Sequence, residues 1–138
     1  MTMTNGKPSF LYVEDDLHSR EVVGLILNKI MGFTRIEFFE DSENFLEHVL
    51  ALPEVPDVIF LDIHVRPLNG YEMLSILRAD DRFASSKIIA LTASVMVQDV
   101  ARLQETGFDG LIGKPIAHKL FPRLLENIMA GEPVWYIP

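Results

Sequence analysis

The sequence predicts an α/β protein of one domain in which five β-strands alternate with five α-helices. Five short apolar runs recur along the 138 residues, amphipathic stretches separate them, and no repeat or long linker interrupts the order. Strands that alternate with helices form parallel sheets with right-handed crossovers and helices on both faces. The length fits one domain of about 100–150 residues, which can bury a core without disulfides or a structural metal.

The apolar runs predict the strands. They cover residues 10–13, 36–39, 58–61, 88–91 and 111–112, and the last run is the weakest. The first four are nearly continuous in apolar residues, which is typical of parallel strands covered on both faces.

Helical spacing of apolar residues predicts the five intervening helices. Asp41 or Ser42 can cap the second helix and Asn69 the third, because short polar side chains accept hydrogen bonds from the first backbone N–H groups. Gly32 and Gly107 supply stop signals after the first and fourth helices. The first, fourth and fifth helices are expected to span residues 19–30, 95–106 and 118–129. The predicted inward residues are Val22, Val23, Ile26 and Ile30; Phe45, Val49 and Leu52; Met73, Ile76 and Leu77; and Leu120, Leu124 and Ile128.

These elements predict a flavodoxin-like (βα)₅ three-layer sandwich with a parallel sheet of strand order 2-1-3-4-5. Residues 1–7 are short and polar and are expected to form a flexible N-terminus, followed by the domain at 8–130. The C-terminal tail, 131–138, has no regular pattern, although Val134 to Ile137 make it unusually apolar. Docking onto its own domain is favoured over service to a partner.

Composition removes several functional classes. The chain has no cysteine, which excludes disulfides, thiolate metal sites and a cysteine nucleophile. The formal net charge is −8 and the 12 basic residues are scattered, so no nucleic-acid footprint is present. No window approaches the roughly 20 apolar residues of a membrane span. We therefore expect a cytoplasmic protein that binds neither nucleic acid nor membranes directly, with carboxylates that either aid solubility or converge on a cation.

Polar residues follow the central strands in a chemically coherent pattern. Glu14 and Asp15 follow the first strand, Asp62 the third, Thr92 the fourth and Lys114 the fifth. In open α/β sheets ligands bind beyond the carboxyl ends of the strands, so these residues should meet there. An oxygen-only acidic site suits Mg²⁺, and a lysine with a hydroxyl suits phosphoryl oxygens. The set predicts phosphoryl transfer to a carboxylate nucleophile.

Each member alone has an ordinary structural explanation. Acidic residues after a strand often cap helices, as expected here for Asp16; a threonine at a strand end is usually a turn residue, and a lysine before proline is usually solvated. The arrival of all four residue types on the correct strands of one sheet favours the functional interpretation.

Four segments resemble the signatures of response-regulator receiver domains. They are residues 11–16 (LYVEDD), 60–62 (FLD), 91–93 (LTA) and 113–115 (GKP), and Gly70 lies eight residues beyond Asp62 as in that family. The resemblance covers residues 8–130. With no output domain after the fifth helix, the chain looks like a stand-alone receiver of the chemotaxis type.

The resemblance implies a Mg²⁺-dependent phosphoacceptor. Asp62 would accept a phosphoryl group from a phosphohistidine on a sensor histidine kinase or a histidine phosphotransfer protein. Asp15, Asp62 and the backbone carbonyl of His64 would bind Mg²⁺, and Glu14 would orient metal-bound water.

The resemblance also implies roles around the phosphoryl group and beyond it. Thr92 and Lys114 would contact the phosphoryl oxygens, with backbone N–H groups of His64 and Ala93, and the Lys114–Pro115 bond would be cis. The protein would act as a switch rather than as an enzyme on other substrates. Its downstream protein target would bind the face of the fourth helix, fifth strand and fifth helix, and homodimerisation is also open.

Two positions depart from the family pattern. The proline that usually lies four residues beyond the acceptor lies five beyond it, at Pro67, so the loop after the third strand is expected to run differently. Leu111 stands where an aromatic switch residue is common, so the usual coupling of Thr92 to a flipping tyrosine cannot operate as such. His64 and Ser94 hold positions whose side chains modulate access of hydrolytic water. An imidazole ligand at His64 is less favoured because Mg²⁺ prefers oxygen.

Three alternative functions make different demands on the sequence. A phosphatase with an aspartyl nucleophile of the haloacid dehalogenase type would need a second aspartate at position 64, where His64 stands. A flavodoxin-like cofactor binder would need a Ser/Thr/Gly-rich phosphate loop after the first strand, where three acids stand instead, and residues 110–114 have the wrong spacing for a Walker loop. A receiver-like scaffold that signals without phosphorylation remains the alternative, because Leu111 keeps it open.

Overall fold

A computed structural model describes residues 7–138 as a six-stranded parallel sheet flanked by five helices. The predicted flexible segment 1–7 lies, apart from Lys7, outside the described residues. The strand order is β2-β1-β3-β4-β5-β6. The strands are β1 (Ser9–Val13), β2 (Arg35–Phe39), β3 (Val58–Leu61), β4 (Lys87–Thr92), β5 (Gly110–Gly113) and β6 (Val134–Tyr136). The helices are α1 (Leu17–Leu25, continued by a π-helical turn, Ile26–Ile30), α2 (Phe45–Leu50), α3 (Gly70–Arg78), α4 (Asp99–Thr106) and α5 (Leu120–Met129), with a 3₁₀ turn at Asp81–Phe83.

The sheet separates two apolar layers, which confirms the predicted three-layer sandwich and the order of its first five strands. One layer joins α2, α3 and α4 to the sheet, and the other joins α1 and α5 to it. Strands β1, β3, β4 and β5 are buried almost throughout, as their apolar runs predict. This packing holds the carboxyl ends of the central strands at one fixed edge of the sheet.

Strand β2 differs from the other predicted strands because it lies at the sheet edge. Its residues are half-buried or exposed, and Phe38 keeps 38% of its surface exposed. Its apolar run therefore does not indicate burial on both faces.

The C-terminal tail, which has no regular pattern in the sequence, contains a sixth strand that the five-strand prediction does not include. β6 pairs in parallel with β5, with Leu111 opposite Trp135 and Ile112 opposite Tyr136. Trp135 packs on the α4 side of the sheet, and Tyr136 on the α5 side. The favoured docking of the tail onto its own domain thus takes the form of sheet extension.

Several local predictions need correction. Neither Asp41 nor Ser42 caps α2, which Asn44 precedes in a left-handed conformation without a side-chain cap. Ser42 is instead fully buried and hydrogen-bonds through its hydroxyl to both backbone groups of Leu68. Asn69 does cap α3, in a capping box with Glu72.

The buried faces of the first and last helices also differ from the prediction. In α5 the buried residues are Phe121, Leu125 and Ile128, whereas Leu120 and Leu124 are partly exposed. Ile30, in the π-helical turn, is 53% exposed, because the wider turn rotates it away from the core. Among the described residues, every helix is too short or too polar to cross a membrane.

Candidate functional site

Three carboxylates converge where β1 and β3 end. One oxygen from each of Glu14, Asp15 and Asp62 lies within 4.8 Å of the others. β1 and β3 are paired neighbours with Val13 opposite Leu61, so the residues that follow them must face each other. Glu14 is completely buried and Asp62 is 6% exposed, whereas Asp15 is exposed. The predicted acidic cluster is therefore formed, with one member open to solvent.

Asp62 is held by donors from two other segments. The Thr92 hydroxyl donates to Asp62 Oδ1 at 2.8 Å, and the His64 N–H donates to the same oxygen at 3.1 Å. Lys114 Nζ lies 3.7 Å from Asp62 Oδ2 and forms an ion pair with Glu14. Thr92 and Lys114 come from the neighbouring strands β4 and β5, and the Lys114 N–H donates to the Thr92 carbonyl at 2.9 Å. The structure thus brings together every side chain predicted for the site from strand ends.

Tyr12 is a member of the site that the sequence reasoning missed. Its hydroxyl donates to Glu14 Oε1 at 2.7 Å, and the residue is fully buried. The signal was available, because residues two apart on a strand point to the same side of the sheet. Burial raises the pKa of the Tyr12 hydroxyl, and the charge of Glu14 raises it further, so the hydroxyl stays protonated and acts as a donor.

The paired carboxylates have opposite pKa shifts. Burial raises the pKa of Asp62, and its side-chain contact with Glu14 raises it further. Burial would also raise the pKa of Glu14, but its side-chain contact with Asp62 and the hydrogen bonds from Lys114 and Tyr12 outweigh burial, and its pKa lies below the ordinary value. Burial and the neighbouring Glu14 raise the pKa of Asp15. Crowded negative charge of this kind favours a bound cation.

Contacts from outside the cluster fix the loop after β1. Asp16 accepts hydrogen bonds from the N–H and hydroxyl of Ser19, which confirms it as the cap of α1. The Arg20 guanidinium donates to the Glu14 carbonyl at 2.6 Å and to Glu40 at 3.2 Å. Arg20, which the sequence reasoning did not single out, ties this loop to the end of β2.

The loops after β3 and β5 each contain a cis proline bond. The Lys114–Pro115 bond is cis as predicted, and the Arg66–Pro67 bond is cis as well. The His64 side chain is exposed beside the acidic cluster. Leu111 is completely buried, so the position of the usual switch aromatic is part of the core here.

The family of the chain follows from these features together with sequence comparison. The sequence model of the response regulator receiver domain matches residues 10–126. The chain belongs to this family, whose members act in two-component signalling rather than as metabolic enzymes.

Individual relatives place the chain more closely. It is 27% identical over 111 residues to stress response regulator protein 1 of Candida tropicalis, which covers 80% of this chain and 41% of that protein. It is 35% identical over 79 residues to the polar-differentiation response regulator DivK of Brucella anthropi, covering 57% of this chain and 62% of that protein. The match spans 41%, 30% and 39% of stress response regulator protein 1 from Candida tropicalis, Lodderomyces elongisporus and Candida albicans.

Solved structures share the fold. A two-component response regulator from Legionella pneumophila matches with a TM-score of 0.73 and 26% identity, covering 90% of this chain and 98% of that one. The chemotaxis response regulator CheY4 of Vibrio cholerae matches with a TM-score of 0.77 and 20% identity, covering 88% and 98%. The fold of a receiver domain is thereby established for this chain.

Proposed function

We propose that Asp62 accepts a phosphoryl group from a phosphohistidine of a sensor histidine kinase or histidine phosphotransfer protein, and that the product switches protein–protein interactions. The observation that carries the proposal is the set of contacts to the Asp62 carboxylate. Two donors, Thr92 Oγ1 and the His64 N–H, hold Oδ1. The other oxygen, Oδ2, faces the ammonium group of Lys114 at 3.7 Å.

These contacts support a separate role for each oxygen of Asp62 in the proposed reaction. Oδ1 is fixed by hydrogen bonds, so Oδ2 is the nucleophile that attacks phosphorus. The new O–P bond forms as the N–P bond of the phosphohistidine breaks, and the electron pair of that bond returns to the imidazole. Lys114 offers positive charge to the oxygens of the transferred group, and Thr92 moves so that its hydroxyl donates to one of them instead of to Oδ1.

The donor set also fits a magnesium ion. Three carboxylate oxygens within 4.8 Å of one another, with no sulfur or imidazole among them, match the preference of Mg²⁺ for oxygen. We assign Asp15, Asp62 and the His64 backbone carbonyl as direct ligands and Glu14 as the residue that orients metal-bound water. Bound Mg²⁺ would neutralise negative charge between the carboxylates and the phosphoryl oxygens. Tyr12 and Lys114 hold Glu14 in place for this role.

The phosphorylated state would be recognised on the α4–β5–α5 face. A phosphoryl group adds about −1.5 to −2 charge at the strand ends, and the loop from β4 to α4 begins at Thr92, which contacts Asp62. A downstream protein, or a second copy of the chain, would bind this face. The fully buried Leu111 favours one alternative function, a receiver-shaped scaffold that signals without phosphorylation.

Phosphorylation by a small acyl phosphate tests the proposal. The protein is incubated with Mg²⁺ and acetyl phosphate, and intact mass spectrometry measures the adduct. We expect one phosphoryl group on the wild-type protein, none on Asp62→Asn, and none in the presence of a chelator. Asp81→Asn removes an exposed carboxylate in the 3₁₀ turn and should leave the adduct unchanged.

The opposite outcomes are equally clear. A wild-type protein that gains no phosphoryl group from acetyl phosphate or from a phosphorylated histidine phosphotransfer protein would contradict the proposal and favour the scaffold. An adduct that persists on Asp62→Asn would place the acceptor elsewhere.

A further inference from the structure

Strand β6 pairs with the edge of β5 that is not paired with β4. It pairs with β5 over Gly110 to Ile112, between α4 on one face of the sheet and α5 on the other. Trp135 and Ile137 pack with the α4 layer, and Val134 and Tyr136 with the α5 layer. The chain's own segment therefore covers the middle of the face proposed above for partner binding.

The sequence of β5 is adapted to this neighbour. A Cβ atom at Gly110 would lie 2.7 Å from the Val134 carbonyl oxygen. A Cβ atom at Gly113 would lie 2.8 Å from Pro138 Cδ and 3.2 Å from the Tyr136 carbonyl oxygen. Both glycines thus admit a close approach of the β6 backbone that any larger residue would prevent.

Gly113 of β5 also contacts the loop that carries Thr92 of the candidate site. A Cβ atom placed on Gly113 would lie 3.3 Å from Val95 Cγ1, so Val95 and Pro138 both pack over this glycine. Val95 is three residues beyond Thr92, and between them Ser94 has a left-handed φ of 55°. Gly113 is followed by Lys114, whose N–H binds the Thr92 carbonyl. The loop from Thr92 to Val95 therefore contacts Asp62 at one end and, at the other end, Gly113, over which the C-terminal segment packs.

We propose that phosphorylation of Asp62 loosens β6 from the edge of β5. In the unphosphorylated protein β6 covers the α4–β5–α5 face, and its release exposes that face to a partner. The inference rests on the proposed phosphoacceptor function. In the structure the Thr92 hydroxyl binds Asp62 Oδ1, and β6 fits the loop in that position. A phosphoryl group carries its acceptor oxygens farther from the Asp62 backbone, and the Thr92 hydroxyl must move to reach them.

That movement has a defined consequence for β6. Val95 moves with Thr92, and the packing of Val95 and Pro138 over Gly113 is lost. This packing acts together with the pairing to β5 and the contacts of β6 in the two apolar layers, so its loss weakens the docking of a three-residue edge strand and shifts its equilibrium towards release. Release uncovers the hydrogen-bonding groups of β5 and the apolar surface beneath Trp135.

Trp135 gives a direct readout, because it is the only tryptophan in the chain. The full chain is treated with Mg²⁺ and acetyl phosphate, and intact mass, Trp135 emission, acrylamide quenching and amide hydrogen exchange of residues 134–136 are measured on the same samples. We expect the adduct to coincide with a red shift of the emission, stronger quenching and faster exchange. Asp62→Asn should show none of these changes.

A matched variant tests the docking half of the inference without touching the acidic cluster. Gly110→Ala places its Cβ against the Val134 backbone at the opposite end of β5 from Lys114. Its emission should be red-shifted before any phosphorylation, and it should still form the adduct. Wild-type emission and exchange in Gly110→Ala would contradict the inference.

The failure of this inference is distinct from the failure of the proposed function. A full phosphoryl adduct on the wild-type protein with unchanged Trp135 emission and unchanged exchange at 134–136 overturns the release of β6 and leaves Asp62 as the phosphoacceptor. A wild-type protein that forms no adduct overturns both.

Discussion

The Tyr12 hydroxyl and the Glu14 carboxylate form a 2.7 Å hydrogen bond inside the core, two residues apart at the end of β1. Glu14 Oε1 also forms an ion pair with Lys114. Lys114 follows β5, so its side chain reaches across the ends of β4 and β3 to the end of β1. A completely buried carboxylate with two such donors is fixed in direction as well as in charge. The acidic cluster is therefore anchored on its buried side and open at Asp15.

Removing this anchor should destabilise the protein. Tyr12→Phe leaves the ring in the core but deletes the donor to a charged acceptor, a loss of about 1.5–3 kcal/mol. The pKa of Glu14 is lowered in the folded state, so bonds to its charged form contribute stability above the ordinary glutamate pKa and lose it as the pH falls. The deficit of the variant should be largest at neutral pH and shrink in acid, as measured by chemical denaturation.

Tyr71→Phe is the matched control for this measurement. Tyr71 is partly exposed and its ring lies under the Arg102 guanidinium at 4.2 Å, a contact that phenylalanine can keep. We expect its free energy of unfolding to change by no more than about 0.5 kcal/mol. Equal losses in the two variants would show that the Tyr12 hydroxyl is not a special donor.

Tyr12 also marks how far the site could be predicted from the sequence. Strand ends locate Asp62, Thr92 and Lys114, because a parallel sheet brings its carboxyl ends to one edge. Buried support is harder to predict, since a tyrosine within an apolar run is normally a core residue. Strand alternation places the Tyr12 side chain on the same side of the sheet as Glu14, but it does not show whether the hydroxyl reaches the carboxylate.

Asp62→Asn should stabilise the metal-free protein. Burial and the contact with Glu14 raise the pKa of Asp62, so the contribution of this one group to stability is fully present below the ordinary aspartate pKa and is lost as the pH rises through the raised pKa. Asparagine carries no charge, and its Oδ1 can still accept from Thr92 and the His64 N–H. The melting temperature of the variant should exceed that of the wild type at neutral pH, with the gap closing towards about pH 4, near the ordinary carboxyl pKa.

The exposed Asp81→Asn serves as the reference for the pH series. Its melting temperature should follow that of the wild type, with a constant difference, across the whole pH series. A gap between Asp62→Asn and wild type that is constant with pH would contradict charge crowding and indicate a packing effect instead.

Magnesium affinity should separate two adjacent aspartates. Asp15 contributes an oxygen to the acidic cluster and is exposed, so Asp15→Asn should weaken Mg²⁺ binding roughly 10-fold or more, by analogy with changes near metal sites, without loss of stability. Asp16 instead caps α1 through Ser19, and asparagine caps helices equally well. Calorimetric titration of the two variants with MgCl₂ makes the comparison.

The pair of variants separates a built site from a general charge effect. Asp16→Asn removes the same charge one residue away and should bind Mg²⁺ nearly as the wild type does. Equal weakening in both variants would mean that Mg²⁺ responds only to the net negative charge of the loop.

The sequence predicts those parts of the fold that correspond to apolar runs or to helical spacing of apolar residues. Strands β1, β3 and β4 are apolar runs in the sequence and buried strands in the structure. β6 gave no such signal, because three residues after Pro133 are too few for a period and its position depends on Gly110 and Gly113 in another strand. The capping error at Ser42 has the same origin, since a distant loop captures a side chain suited to a local cap.

Ser42 is therefore expected to matter for the loop beside Asp62 rather than for α2. Its hydroxyl donates to the Leu68 carbonyl at 2.6 Å and accepts from the Leu68 N–H at 2.7 Å. Ser42→Ala leaves both backbone groups of the half-buried Leu68 without this partner, and each lost hydrogen bond costs about 0.5–1.5 kcal/mol. We expect a loss of about 1–3 kcal/mol in the free energy of unfolding, measured by urea denaturation. Ser85→Ala, at an exposed serine, should change the free energy of unfolding by less than about 0.5 kcal/mol.

Because Leu68 ends the loop that begins at Asp62, hydrogen exchange in Ser42→Ala should quicken across residues 64–69. Unchanged exchange there would contradict the assigned role of Ser42.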